Sequence, residues 1–518
     1  MKMRKLDTLG MAIAAWGLGA TVIVACTDDT TDPPASDETT DSPPGMTTTG
    51  MDTTGADDLD DGDETEEELL DINVGNDTDM VNCSIDGSCD LIDLLFVIDN
   101  SGTMGEEQLN LARNFQQLVD ELEDLEDPDG NPVTPNVNIM VTTSDFGHPL
   151  CTAFYKPDYV PRKGAPVYQG CNARIQRFTG LDPMDPEIIE EACTENCPAD
   201  IAPGDHFINF GPGFSNVPND DVGAALSCIG PQGIDGCGYE APLETMLQAI
   251  NETACWNSPE NEACDEDPEW AETPRGFLRE GSILGIVVIT DEMDCSVAAP
   301  NGYSFFTDID NTLYWNINPE TQVPQTTSAI CFNSGVTCTD VQGDGLYEGG
   351  CTSSESEVLH PISRYTSYLD YLATGQDREV IMLGILGVPE VVAHNPNPPF
   401  QPTAGGADDL LYRNWISFPY PAGDILPAEW DAGTTAANKI FEFGDIGPGC
   451  TGTNEEGEFT GQAIPPVRIR EVCESLNGVD EDGNEQIRCC IESICDTDFS
   501  PAIRCLTGVI SDAVGGIG

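Results

Sequence analysis

Positive charge is what this chain has least of. Over 518 residues, 19 Lys and Arg stand against 92 Asp and Glu, a formal net charge of −73. A surface of that sign repels phosphate backbones and anionic lipid headgroups, so nucleic-acid binding and docking on a membrane through a basic patch are excluded. It attracts divalent cations and basic partners, and it keeps the chain soluble. Histidine is scarce as well: His148, His206, His360 and His394 are isolated along the sequence. With no Cys-x-x-Cys pair beside them, a zinc centre has no ligand set. There is also no Gly-x-Ser-x-Gly elbow, phosphate loop or dinucleotide fingerprint. The sequence therefore assigns no catalytic residue, and the expectation is a protein that is not an enzyme.

Cysteine, by contrast, is abundant, with 21 residues. The first, Cys26, closes the stretch "MKMRKLDTLGMAIAAWGLGATVIVAC". Lys2, Arg4 and Lys5 form a basic start, residues 8–25 carry no charge, and Ile23-Val24-Ala25 precede the cysteine. This resembles a bacterial lipoprotein signal, residues 1–26, in which Cys26 becomes the lipidated N-terminus. A retained membrane helix is the alternative, since the uncharged run is just long enough to span. Removing Cys26 leaves an even set of 20, scattered from Cys83 to Cys505. Disulfides formed in an oxidising compartment account for them. Cys489 and Cys490 are neighbours and are expected to have separate, distant partners. Residues 27–80 contain no Lys or Arg and are rich in Thr, Pro, Gly and acid. Such a segment cannot bury enough apolar surface to offset its ordering entropy, which predicts a disordered acidic tether.

The folded body is expected over 83–518. Leu91 to Ile98 is a nearly continuous apolar run, as in a strand buried on both faces. Leu111, Phe115, Leu118, Val119 and Leu122 follow at helical spacing within 105–124. Further strands are read at 137–141, 283–289 and 380–386. Helices are read around Leu243, Met246, Leu247 and Ile250, over 356–374, and at the C-terminal end. This alternation predicts an α/β fold: a doubly wound, mostly parallel sheet with long disulfide-stapled insertions near 148–235, 295–353 and 390–460.

In an open parallel sheet, sites form where strands end. "LLFVIDNSGTMGEE" places Asp99 at such an end, with Ser101 and Thr103 at the next alternate positions and a helix beginning behind them. Oxygen donors so spaced can converge on a hard cation; the alternative is an ordinary helix cap. The Asp-x-Ser-x-Thr pattern resembles the metal-ion-dependent adhesion site of von Willebrand factor type A domains. "ILGIVVITDEMDCS" supplies the second expected signal, Asp291 closing a later apolar strand. The resemblance covers roughly residues 90–390. It implies a Rossmann-like type A fold, a bound Mg²⁺ or Ca²⁺, and a partner whose carboxylate completes the metal's coordination.

One position departs from the resemblance. Where the family has a Thr, the register in "GCGYEAPLETMLQAI" offers Glu240. Glu240 is either a ligand or an ordinary acid in the first turn of the following helix. As a ligand it would tighten the metal but weaken its pull on an incoming carboxylate. Asp145 and Asp294 also stand at strand ends, as outer acids of the site or as solvated loop acids. "DEDGNE" at 480–485 has its Gly in the wrong place for an EF-hand and reads as a turn. The functional expectation is an exported lipoprotein, anchored by lipid to the bacterial envelope at the outer membrane or cell surface. There it would bind a protein or glycan partner through a divalent metal at Asp99, Ser101, Thr103, Glu240 and Asp291. A metal-dependent hydrolase built on the same acids is the alternative, and a structural lipoprotein stiffened by its metal is a third reading.

Overall fold

A computed structural model describes residues 90–514, apart from 182–186, 198–200, 259–263, 265–275, 416–432, 454–458, 480–482 and 484. Cys26, the expected signal segment and the expected acidic tether lie outside the described residues, as does most of the turn expected at 480–485.

Five of the apolar runs align in parallel. β1 (Asp90–Ile98), β2 (Pro135–Thr143), β5 (Ile283–Ile289), β6 (Val380–Leu386) and β7 (Cys489–Ser493) are joined edge to edge. Beyond β2 the sheet is extended by an antiparallel hairpin, β3 (Ile208–Gly211) and β4 (Phe214–Ser215). The strand order is β7-β6-β5-β1-β2-β3-β4. This seven-stranded, mostly parallel sheet is compatible with a Rossmann-like fold.

Side-chain alternation explains why the runs are apolar throughout. Ile92, Leu94, Phe96 and Ile98 of β1 enter one core with Val137, Ile139 and Val141 of β2 and Ile381, Leu383 and Ile385 of β6. That core is roofed by α1 (Gly105–Glu123), α2 (Val222–Ile229) and α6 (Ser500–Val514). Leu95 and Val97 face the opposite core, under α3 (Pro242–Ala249), α4 (Ser363–Asp370) and α5 (Val467–Glu474). A strand buried on both faces cannot alternate polar with apolar residues. Phe96 and Phe115 meet edge to face at 5.6 Å, locking α1 over β1.

Two expectations need correction. The stretch 148–235 is more than an insertion, because it supplies β3, β4 and the core helix α2. The helix expected over 356–374 starts only at Ser363 and finishes in a π turn, Tyr371–Gly375. Pro361 is the reason: it has no amide to donate and biases His360 toward extended backbone, so residues before it cannot join the helix. Leu359 instead forms a bridge to Val297.

Nine disulfides staple the described residues. Cys489 bonds Cys473 on α5 and Cys490 bonds Cys505 on α6, so the adjacent pair fastens β7 to helices on both faces. The bridges fit an oxidising environment. The stretch 295–353 is tied by Cys295–Cys331 and Cys338–Cys351 around a small third core that it shares with Ile446, Ile464 and Val467. No helix among the described residues is long and apolar enough to cross a membrane.

Candidate metal centre

Register brings the carboxyl ends of β1, β2 and β5 level. Ile98 pairs with Thr143 on one side and with Ile289 on the other. The residues that follow, Asp99, Ser144 and Thr290, therefore emerge side by side. The Asp99 amide donates to the Ile289 carbonyl at 2.9 Å, carrying the ladder one residue past the strand.

Beyond that point the chain turns on its own side chain. The Ser101 amide donates to Asp99 Oδ1 at 2.7 Å, and the Thr290 hydroxyl donates to Asp99 Oδ2. Gln108 of α1 locks the turn from behind: its Nε2 donates to the Asp99 carbonyl at 2.8 Å, and its Oε1 accepts from the amides of Gln232 and Gly233. Gly236 presses on the same turn, donating to the Asn100 carbonyl at 2.9 Å. A Cβ there would lie 2.5 Å from Asn100 Cγ, so any larger residue would have to displace the buried Asn100 amide.

Glu240 is held by its backbone. Its carbonyl accepts from the Cys295 amide at 2.7 Å, and the next amide, Ala241, donates to the Ser144 carbonyl at 3.0 Å. The loops on either side are covalently tied, by Cys151–Cys237 and by Cys295–Cys331. Ala241 is the cap residue of α3 and Pro242 opens the helix. Glu240 thus lies ahead of the cap, and the first-turn reading of it is corrected. The first-turn acid is Glu244, which pairs with Arg364 through two bonds of 2.9 Å.

The sequence-predicted acids lie near enough to act on one another: the Asp99 charge bears on both Glu240 and Asp291. Asp99 is 0% exposed, Glu240 1%, Ser101 3% and Asp291 9%, whereas Thr103 is exposed and marks the route to solvent. Ser101 Oγ, both carboxyl oxygens of Glu240 and Asp291 Oδ1 are buried without a hydrogen-bond partner. So are Asn100 Oδ1, Thr143 Oγ1, Ser144 Oγ and Glu107 Oε2 around them. Ser144 is near enough to Glu240 to favour its charge, but the two do not reach hydrogen-bond geometry. Buried polar atoms are normally paired, because an unpaired one costs about 1–3 kcal/mol.

Electrostatics point the same way. Burial, countered by hydrogen bonds from Thr290 and Ser101, pushes the Asp99 carboxyl up to about 6. Burial and then the charge of Asp99 push Asp291 up to about 7, while the Thr103 hydroxyl favours its charged form. Glu240 is held well above the usual carboxylate range by burial, then by Asp99 and Asp145. Glu107 and Glu292 are raised in the same way, burial first and then the Asp291 charge. No Lys or Arg is among the strongest charges acting on these five acids. Carboxylates and hydroxyls are the donor types a hard divalent cation takes, and a cation here would relieve this repulsion; as the side chains stand, Asp99, Glu240 and Asp291 do not bring three donor atoms within 4.8 Å of one another.

Asp145 and Asp294 are buried, so neither is a solvated loop acid. Asp145 accepts from the Tyr155 and Tyr159 hydroxyls at 3.0 and 2.7 Å and from the Gly147 and Cys237 amides. It braces the loop behind Glu240 and has no free oxygen to offer. Asp294 pairs with Arg468 at 2.9 Å and receives the Leu243 amide of α3.

Glu107 and Glu292 were missed as members of the cluster. Both had a signal: each sits within a few residues of a predicted ligand, Glu107 in the first turn of α1. Among the described residues, the groups that do bring three such donors within 4.8 Å of one another lie elsewhere. Cys490, Glu492 and Cys505 offer no thiolate because the cysteines are bridged. Asp340, Asp344 and Glu348 form an exposed loop in which Asp340 already binds the amides of Gly343 and Gly345. No protein-family model matches the chain, and no curated protein matches it either.

Proposed function

We propose that this chain is an exported, lipid-anchored lipoprotein whose body is a type A domain of the doubly wound class. It binds a protein or glycan partner through a divalent cation, Mg²⁺ or Ca²⁺. The observation that carries the reading is the set of unpaired, buried oxygens on Ser101, Glu240 and Asp291 beside the Asp99 turn. Those residues, with Thr103 on the open side, would hold the ion. When bound, the ion supplies a coordination position toward solvent that a partner's oxygen can take. The strand order, with β1 between β2 and β5 and helices on both faces, supports the doubly wound reading. It puts the Asp99 turn where such sheets bind ligands.

His148 does not favour the hydrolase alternative. His148, whose ring is packed against Tyr239, Tyr303 and Phe306, is pushed down to about 3 by burial. It is neutral at physiological pH, and its Nδ1 accepts from the Leu150 amide. The disulfides support export, and attachment at Cys26 would place the domain on a membrane face. Calorimetric titration of the mature chain with Ca²⁺ and Mg²⁺ tests the metal. Wild type should bind about one ion per chain, and Asp99→Ala should bind none tightly while its circular dichroism stays near wild type. Equal binding by both proteins would refute the site.

A further inference from the structure

We infer that a pocket at the edge of the sheet, between α6 and the loop 395–401, binds a small aromatic carboxylate. The inference is independent of the metal reading above.

The first argument is shape. β7 ends the sheet, three strands from β1. A short hairpin, Ala393–His394 with Pro402–Ala404, is held to it through His394 and Glu492. The hairpin loop is closed by its own bonds. The Asn395 amide donates to the Gln401 carbonyl and the Phe400 amide to the Asn397 carbonyl, both at 2.9 Å, and the Asn397 amide donates to Asn395 Oδ1 at 3.1 Å. The loop seats directly on α6 because Gly508 has no side chain: a Cβ there would lie 2.9 Å from Pro399 Cα and 3.0 Å from Phe400 Cδ2. Between loop and helix lies a half-open cavity of about 190 Å³, lined by His394, Asn395, Pro396, Phe400, Pro501 and Arg504. A cavity of about 150 Å³ holds benzene, so this one has room for a single ring with a small substituent. Phe400, Pro396 and Pro501 offer the ring apolar surface. Phe400 holds a φ of +59°, left-handed backbone that a bulky residue rarely adopts and that gathers at ligand sites.

The second argument is the polar groups at this cavity. In so acidic a chain arginines find carboxylates: Arg279 and Arg378 meet Asp93, Arg364 meets Glu244, Arg468 meets Asp294 and Arg488 meets Glu379. Arg504 is exposed and forms no ion pair among the described residues, although Glu492 feels its charge. Its guanidinium is left free to take a carboxylate. His394 adds a second donor. Its Nε2 lies 3.0 and 3.1 Å from the two carboxyl oxygens of Glu492, which is 2% exposed. Burial holds Glu492 up to about 8 against the pull of Arg504, and burial and then Arg504 hold His394 down against Asp496. At neutral pH the Glu492 carboxyl therefore keeps its proton and donates it to Nε2, which puts the ring's own proton on Nδ1. That N–H has no partner among the described residues. Glu492 is thus a positioning residue: it fixes the tautomer of His394.

The test is ligand-observed NMR titration of the mature chain in EDTA with benzoate, benzyl alcohol and acetate. Benzoate should bind at least about tenfold more tightly than the other two, since one lacks the charge and the other the ring. Arg504→Met, which keeps the stem and removes the charge at an exposed position, should weaken benzoate by about tenfold or more. Phe400→Gly, which suits the left-handed backbone and removes the ring, should also weaken it. Wild-type binding should fall as pH rises through about 8, where Glu492 ionises and repels the ligand. The amide of Glu492→Gln can donate to Nε2 as the carboxyl does, so this variant should bind benzoate at neutral pH and lose that fall. Arg504 and the acids Asp496 and Glu390 face this corner in both proteins, so the difference between the two profiles belongs to Glu492. Absence of benzoate binding, benzyl alcohol or acetate binding as tightly as benzoate, or unchanged binding by Arg504→Met would overturn the inference. Identical pH profiles for wild type and Glu492→Gln would overturn it as well. Benzoate binding only in Ca²⁺ would place the carboxylate on a metal, overturning the pocket while supporting the metal reading.

Discussion

Without its cation, the acid cluster should make the protein less stable as pH rises, and metal should remove that dependence. Asp99 and Asp291 have ordinary values of 3.8 and stand at about 6 and about 7 in the fold. A carboxyl raised on folding binds its proton more tightly folded than unfolded. Its contribution is full below 3.8 and is lost as pH climbs through 6 and 7. The rise at Asp99 corresponds to roughly 3 kcal/mol and that at Asp291 to roughly 4 kcal/mol. Because each charge acts on the other, the pair together should cost between about 3 and about 7 kcal/mol. The assay is urea unfolding of the disulfide-intact chain from about pH 3 to about pH 8, in EDTA and in excess Ca²⁺. Glu492, raised to about 8 by burial, and Asp496, raised to about 7, titrate in both conditions, so the difference between the two curves isolates the cluster. In EDTA the stability should fall across this range. In Ca²⁺ the two carboxylates stay ionised as ligands and the fall should shrink by most of that amount. Asp99→Asn in EDTA should flatten the curve by about 3 kcal/mol. Parallel curves with and without Ca²⁺, together with an unchanged slope in Asp99→Asn, would refute the reasoning.

Other outcomes follow from single contacts. Cys26→Ser should move the protein from membranes to the soluble fraction, because lipidation needs that thiol; retention on membranes would favour the uncleaved helix. Thiol titration of the denatured, unreduced mature protein should find only a trace of free cysteine, since 18 of the 21 cysteines lie in the nine bridges seen here. Arg468→Met should destabilise by about 3–5 kcal/mol in urea unfolding, because it strips the cation from the fully buried Asp294. Adding Asp294→Asn should recover part of the loss.

What could be read from the sequence follows from burial. Ile283–Ile289 and Val380–Leu386 were expected with the bounds they have, because strands covered on both faces leave an uninterrupted apolar signature. β3 and β4, "INFG" and "FS", were not, because short edge strands lack that signature and sit among Gly, Pro and Asp. α2 was hidden for a different reason: its eight residues lie inside a cysteine-rich stretch that reads as an insertion. At the site, Asp99 and Asp291 were legible as acids that stop apolar runs. The placement of Glu240 was not, since it depends on backbone contacts with Ser144 and Cys295 that only the tertiary fold creates. Nor could the partners that occupy Asp145 and Asp294 be seen: Tyr155 and Tyr159 return from an irregular loop 10 and 14 residues on, and Arg468 comes from a helix 174 residues away.

The central claim is a location, and anomalous diffraction from crystals of the mature chain soaked in Mn²⁺ tests it most directly. The account predicts one strong peak bounded by Asp99, Ser101, Asp291 and Glu240, with oxygens at about 2.0–2.6 Å from the ion. A map with no peak there, or with a peak only at the exposed Asp340, Asp344 and Glu348 loop, would contradict it.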